Sequence, residues 1–141
     1  MKVDQILQAK GAEVFTISYD AAISDAVGVL HDRNIGAVVV ETGGKVAGIL
    51  SERDIVRQLK REGAAVLQRS VADCMTRNVF TCTREATIDE VMEQMTDRRI
   101  RHMPVVENGA LVGLVSIGDV VKLKIRHVEQ EAQALKEYIA S

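Results

Sequence analysis

Apolar and polar residues alternate along this chain in a pattern that occurs twice. Residues 14–17 and 79–82, "VFTI" and "VFTC", are short β-branched or aromatic runs and predict strands. After a polar turn, Ile23, Ala26, Val27 and Leu30 recur at the spacing of one helix face, as do Ile88, Val91, Met92 and Met95. Ser24 or Asp20 is placed to cap the first of these helices, and Thr87 or Glu85 the second. "AVVV" (37–40) and "MPVV" (103–106) predict buried strands. The turns "TGGK" and "ENGA" follow, where Gly44 and Gly109 can take positive φ, and the returning strands are "VAGILS" and "LVGLVS". A closing helix is expected over about 52–62, stopping near Gly63, and a second from about 117 to about 138. Each half therefore reads strand, helix, strand, strand, helix.

The two halves are copies. "GILSERD" begins at Gly48 and "GLVSIGD" at Gly113, an offset of 65 (113 − 48 = 65). Without a gap, the same offset lays Val14, Phe15 and Thr16 over Val79, Phe80 and Thr81, and Ala21 and Ile23 over Ala86 and Ile88. "DRNI" (32–35) lies over "DRRI" (97–100), and Val40, Gly44 and Val56 over Val105, Gly109 and Val121. So many identities in one register indicate duplication of a structural unit. "VDQIL" (3–7) and "VADCM" (71–75) echo each other as short helical lead-ins, and "GAAVLQRS" (63–70) reads as a connector. One such unit has too little core to be stable alone, so the two are expected to pack face to face.

Composition narrows the function classes. The chain has 141 residues, 47% hydrophobic and 27% charged, but only 3% aromatic with no Trp, so its core must be aliphatic. A net charge of −2 gives no overall attraction to nucleic acid or an anionic membrane, and the scarcity of aromatics also argues against nucleic acid. No apolar run approaches the roughly 20 residues needed to span a bilayer, and the N-terminus lacks a secretory h-region, so the expectation is a cytoplasmic protein. Cys74 and Cys82 make neither a disulfide scaffold nor a zinc set and read as structural thiols, a redox role being the alternative. Met92, Met95 and Met103 read as core packing, and His31 and His127 as helix-surface residues. No dinucleotide fingerprint, Walker loop, HExxH or catalytic triad is present, so no enzyme is expected.

The repeated phrase has the form G-h-h-S-x-x-D, with h apolar. Its serine stands where a strand ends and its aspartate falls on the same side of the first helical turn. Two readings are open. The serine caps the helix and the aspartate favours its N-terminal dipole. Alternatively, hydroxyl and carboxylate point together into a crevice beside free helix N–H groups, where a carboxylate suits a ribose diol; one pair can serve both ends. Arg101 and His102 stand just before the second buried strand, where the first repeat has Gly36 and Ala37. This basic pair is either a solvated strand edge or a phosphate contact. Arg33, Arg98 and Arg99 are more ambiguous, with surface ion pairs as the alternative.

With "MTRNVFTC", "RIRHMPVV" and the two phrases in place, the sequence resembles a tandem pair of CBS domains, the adenosine-nucleotide-sensing modules named after cystathionine β-synthase, over about residues 1–127. The resemblance implies an α/β fold of two pseudo-symmetric β-α-β-β-α repeats: repeat 1 over 1–62, a connector at 63–70, repeat 2 over 71–127, and a C-terminal helical extension over 128–141. It implies ribose contacts from Ser116 and Asp119 at one site and from Ser51 and Asp54 at the other. It implies phosphate contacts from Arg101 and His102, with Arg53 supplying charge to the first site. Adenine contacts fall to Thr16, Ile17, Thr81 and Cys82, partly through backbone groups. The expected function is binding of AMP, best at the second phrase, in a regulatory homodimer acting in trans on an unknown protein. ATP, NAD(H) or S-adenosylmethionine are the alternative ligands, and a scaffold with vestigial pockets is the alternative role.

Overall fold

The structure is a computed structural model that describes residues 1–11 and 13–141. In chain order its elements are α1 (Val3–Lys10), β1 (Thr16–Ser18), α2 (Ile23–Asp32), β2 (Ala37–Thr42), β3 (Lys45–Ser51) and α3 (Glu52–Glu62). A 3₁₀ turn over Gly63–Gln68 leads to α4 (Val71–Cys74), then α5 (Ile88–Arg98), β4 (His102–Glu107), β5 (Ala110–Ser116) and α6 (Ile117–Ala140). The fold is mixed α/β, and the chain divides into two compact units.

The first-repeat unit holds Val14–Phe80 with Gly109–Leu111. Its sheet has the order β1-β2-β3, with β1 parallel and β3 antiparallel to β2. The four residues of "AVVV" are all buried, so β2 is covered on both faces, as its unbroken apolar run predicts. Ile23, Ala26 and Leu30 bury the predicted face of α2 against Val38, Val40 and Leu50, while Val27 at its margin is exposed. The connector contributes Val66 to the same core. The hairpin turns where expected, with Gly43 and Gly44 at φ 57° and 76°.

The second-repeat unit holds Met1–Glu13, Thr81–Asn108 and Val112–Ser141. β4 pairs with β5, and Ile88, Val91 and Met95 bury one face of α5. Met103 is also buried and Met92 half-buried. The strand expected over 79–82 shrinks to a single parallel bridge, Cys82 with Val105. Cys82 N–H donates to Pro104 C=O at 3.0 Å and Val106 N–H donates to Cys82 C=O at 2.9 Å. In the first repeat the ladder continues through Thr16 opposite Val39. Pro104 takes the place of Val39 in the second and has no N–H to donate, so the ladder ends there.

The first helix is capped otherwise than expected. Neither Ser24 nor Asp20 occupies the position before α2; Ala22 does, and its N–H donates to Asp25 Oδ2 at 3.3 Å. A side chain in the first turn thus serves from inside the helix. Thr87 caps α5 as one of the two alternatives anticipated, its Oγ1 accepting from Glu90 N–H at 3.1 Å.

The two lead-in helices are exchanged. α4, from the start of the second repeat, belongs to the first-repeat unit, and α1 belongs to the second-repeat unit. Each is held by the same bonds. Val71 N–H donates to Ala21 C=O (2.7 Å) and Ile23 N–H to Arg69 C=O (2.9 Å); Val3 N–H donates to Ala86 C=O (2.9 Å) and Ile88 N–H to Met1 C=O (3.0 Å). This contact explains the glycine of the phrase. A Cβ on Gly48 lies 2.6 Å from Thr76 O and 2.7 Å from Met75 Sδ, and one on Gly113 lies 2.6 Å from Leu7 Cδ2. Leu7 and Met75 are the same position of the two echoed lead-ins.

Both glycines therefore make room for a lead-in, but what they face differs. Gly48→Ala presses on backbone and is expected to cost about 1–3 kcal/mol in urea unfolding. Gly113→Ala presses on the end of a Leu side chain and should cost less, and less again in a Leu7→Ala background. Equal costs for the two glycines, or a Gly113→Ala cost indifferent to Leu7, would contradict this account.

Candidate functional site

The two serine–aspartate pairs sit where a β-strand turns directly into a helix. Ser51 ends β3 and Ser116 ends β5, both with extended backbone, and the next residue opens α3 or α6. Each pair closes a reciprocal box. Ser51 N–H donates to Asp54 Oδ2 at 2.9 Å and Asp54 N–H to Ser51 Oγ at 3.2 Å. Ser116 N–H donates to Asp119 Oδ2 at 2.9 Å and Asp119 N–H to Ser116 Oγ at 3.1 Å. The capping reading is thus realised in both repeats. A third strand of chain joins each box: Glu52 N–H donates to Gly36 C=O (3.0 Å) and Ile117 N–H to Arg101 C=O (2.8 Å). Fewer helix N–H groups remain than the sequence suggested. In each first turn only one is left over among the described residues, that of Arg53 in α3 and of Gly118 in α6.

The boxes differ in what they leave available. Ser51 also donates its hydroxyl to Asp54 Oδ2 at 3.1 Å, and Arg57 reaches Asp54 Oδ1 at 3.5 Å. The Asp54 side chain is only 10% exposed. In the second repeat Asp119 Oδ1 accepts no hydrogen bond among the described residues, and the Asp119 side chain is 26% exposed. Asp119 Oδ2 instead meets Lys10, whose ammonium lies 2.8 Å away and also donates to Leu114 C=O at 3.1 Å. Lys10 closes α1, so only the lead-in exchange brings it here. Burial pushes the Asp119 carboxyl up, but Lys10 and the Ser116 donors outweigh it and hold the group below its ordinary value.

The structure brings Arg101 to this joint by the carbonyl just described. Its side chain is exposed and enters no ion pair among the described residues. His102 is half-buried and opens β4. Further along β4, Cys82 bridges Val105, with exposed Thr81 before it. Burial pushes the Cys82 thiol up to about 11, with the Glu107 carboxylate adding to the effect, and Cys74 is also raised by burial. Both are free thiols, protonated at neutral pH.

In the first repeat, Ala37 stands opposite Ser51 in the sheet, and Thr16 and Ile17 pair with Val39 and Val40 on the other side of β2. Arg53 is exposed on α3. Arg33 lies over the Phe15 ring, 4.8 Å from its centroid, which accounts for it locally. Among the described residues no cluster of His, Cys, Asp and Glu could hold a metal ion, and no helix is long and apolar enough to cross a membrane.

Comparison with known proteins bears on both halves. The sequence profile described as CBS domain matches residues 9–61 and again 71–126. A mitochondrial CBS domain-containing protein of Arabidopsis thaliana is 34% identical over 97% of this chain and 71% of its own length. The crystal structure of a CBS-domain containing protein from Agrobacterium tumefaciens has a TM-score of 0.85 at 49% identity, covering 88% of this chain and 99% of the other. The CBS domain pair of protein MJ0100, solved with 5′-methylthioadenosine and S-adenosyl-L-methionine, has a TM-score of 0.77 at 27% identity, covering 87% of this chain and 94% of the other.

The Lys10–Asp119 pair has a pH signature. Because the folded carboxyl is depressed, its contribution to stability is present above the unfolded value of about 3.9 and is lost as pH falls through the folded value. Both partners still see water, so Lys10→Met should cost about 0.2–1 kcal/mol at pH 7 and raise the Asp119 titration midpoint, read by carboxyl-carbon NMR. The stability gap between variant and parent should close below about pH 4. A gap that persists unchanged at pH 2–3 would show that the ammonium does not act through the carboxylate.

Proposed function

The chain belongs to the CBS domain family, and we propose from this premise that it is a regulatory module that senses an adenosine-containing ligand, AMP foremost. It performs no catalysis itself and acts as a homodimer on a separate protein in the cytoplasm. The observation that carries the reading is the second-repeat joint. There Asp119 Oδ1, which accepts no hydrogen bond among the described residues, stands at the joint tied by the Arg101 carbonyl, and the exposed Arg101 guanidinium enters no ion pair among those residues.

On this reading Asp119 Oδ1 accepts from a ribose hydroxyl while Oδ2 keeps the helix capped, and Ser116 adds its hydroxyl. Arg101 and His102 meet the phosphate, and Thr81 and Cys82 border the adenine. Ser51 and Asp54, with Arg53, Thr16 and Ile17, make the corresponding set in the first repeat. It should be the weaker site, because both Asp54 oxygens and the Ser51 hydroxyl are already engaged. Ligand that binds one helix arrangement better than another biases helix packing, and that is how occupancy becomes a signal.

A second reading keeps the ribose contacts and changes the ligand. The MJ0100 pair was solved with two adenosyl compounds that carry no phosphate. ATP and NAD(H) retain a phosphate and fall under the first reading.

Calorimetric titration with AMP, ATP, NADH and S-adenosylmethionine separates these readings. AMP should bind, and Asp119→Ala should weaken it about tenfold or more, since a charge-assisted hydrogen bond is lost. Arg101→Ala should weaken AMP about tenfold while leaving adenosine within about twofold. Equal loss for AMP and adenosine would remove Arg101 from the phosphate, and preference for S-adenosylmethionine would favour the second reading. No heat with any of the four would leave a scaffold.

A further inference from the structure

α6 carries a second pattern that the ligand site does not use. Val121, Ile125, Val128, Ala132, Leu135 and Ile139 follow one another at alternating steps of four and three, the a/d seam of a coiled coil. All six are exposed, the five larger ones by 40% to 73%. Val120, the one buried residue of this helix, lies off the seam. Every residue from Val128 to Ala140 is exposed, so that part of the helix is not covered by any of the described residues. A helix of about 12–15 residues is marginal in water without a partner.

Taking Ile125, Ala132 and Ile139 as a positions and Val121, Val128 and Leu135 as d positions, Lys124 and Glu131 fall at g and Lys122, Glu129 and Lys136 at e. In a parallel, in-register pair each g residue faces the next e residue across the seam. Lys124 then meets Glu129 of the partner subunit, and Glu131 meets Lys136 of the partner subunit. An antiparallel pair sets Glu129 against Glu129, Glu131 against Glu131 and Lys122 against Lys136, all like charges. Lys124 already pairs with Asp89 at 3.0 Å, and Glu131 touches His127 on its own helix at 3.1 Å. Glu131 and Lys136 therefore give the cleaner cross-seam pair to test.

We propose that α6 is an interface for a second copy of this chain, forming a parallel, in-register two-stranded coiled coil through Val121–Ile139. The proposal rests on the homodimer reading above and adds its surface and direction.

Sedimentation equilibrium of the full chain tests it, with circular dichroism as the check on folding. The parent should be a dimer. Leu135→Glu alters a residue already exposed in the single chain and should weaken the dimer by about tenfold or more. Glu131→Lys and Lys136→Glu should each weaken it, and the double variant should recover to within about twofold of the parent. Leu135→Cys should oxidise to a covalent dimer, which an antiparallel seam does not permit, and Gln130→Cys on the opposite face should not. A dimer indifferent to Leu135→Glu overturns the seam while leaving the homodimer reading standing. A monomeric parent overturns both. Failure of the charge swap to recover, or of Leu135→Cys to cross-link, overturns the parallel register.

Discussion

Each repeat depends on one reciprocal exchange of hydrogen bonds between a serine that ends a strand and an aspartate three residues on. The exchange lets the chain pass from β3 to α3, and from β5 to α6, with no connecting loop. The helix start would otherwise present several unpaired N–H groups at a point where the chain has no slack. Serine takes one, aspartate holds the serine's own N–H, and a carbonyl from before the neighbouring strand, Gly36 ahead of β2 or Arg101 ahead of β4, takes a third. Strand, helix and the chain before the neighbouring strand are thereby fixed to one another. Any ligand contact made at this joint comes from groups whose positions are already set by the fold, which is the condition for binding without a large ordering cost.

The same phrase meets a second constraint through its glycine. The lead-in segment crosses β3 or β5 so closely that no Cβ fits, and the lead-ins are exchanged between the repeats. Residues that begin the chain thus complete the unit of the second repeat, and residues that begin the second repeat complete that of the first. This exchange also carries Lys10 to Asp119. Among the described residues Asp54 receives no such ammonium and is held by Arg57 from its own helix instead. The electrostatic difference between the two aspartates therefore originates outside the repeated phrase.

Much of this was legible in the sequence because it is local. The helix faces of α2 and α5, the glycine turns, the buried run of β2, and α3 ending at Gly63 follow from periodicity and turn chemistry. The serine–aspartate box was legible as one of two readings of a three-residue spacing. What was missed depends on partners remote in sequence or on a single backbone group. Lys10 gave no signal, since nothing near it in the chain indicates that α1 serves the other repeat. The shortened strand at 79–82 did carry a signal, Pro104, but its effect appears only once the parallel partner is known. Ala22 escaped notice as a cap position because the oxygen comes from Asp25, inside the helix. That Ser116, Asp119 and Arg101 share a site was implied by the family resemblance, yet the carbonyl that ties Arg101 to the helix is a backbone contact that no side-chain motif records.

Duplication leaves little freedom at such a joint. Serine, aspartate and glycine each perform a structural task in both repeats, so replacing any of them to alter ligand preference would also loosen the turn from strand to helix. Divergence is then confined to the second carboxylate oxygen and the residues that flank the box. The first repeat engages both Asp54 oxygens and the Ser51 hydroxyl and has Gly36 and Ala37 at the flank. The second leaves Asp119 Oδ1 open among the described residues and has Arg101 and His102 there. Two joints with the same backbone thus differ in charge and in open hydrogen-bonding capacity, which are the two properties that a phosphate-bearing ligand of the kind proposed would read.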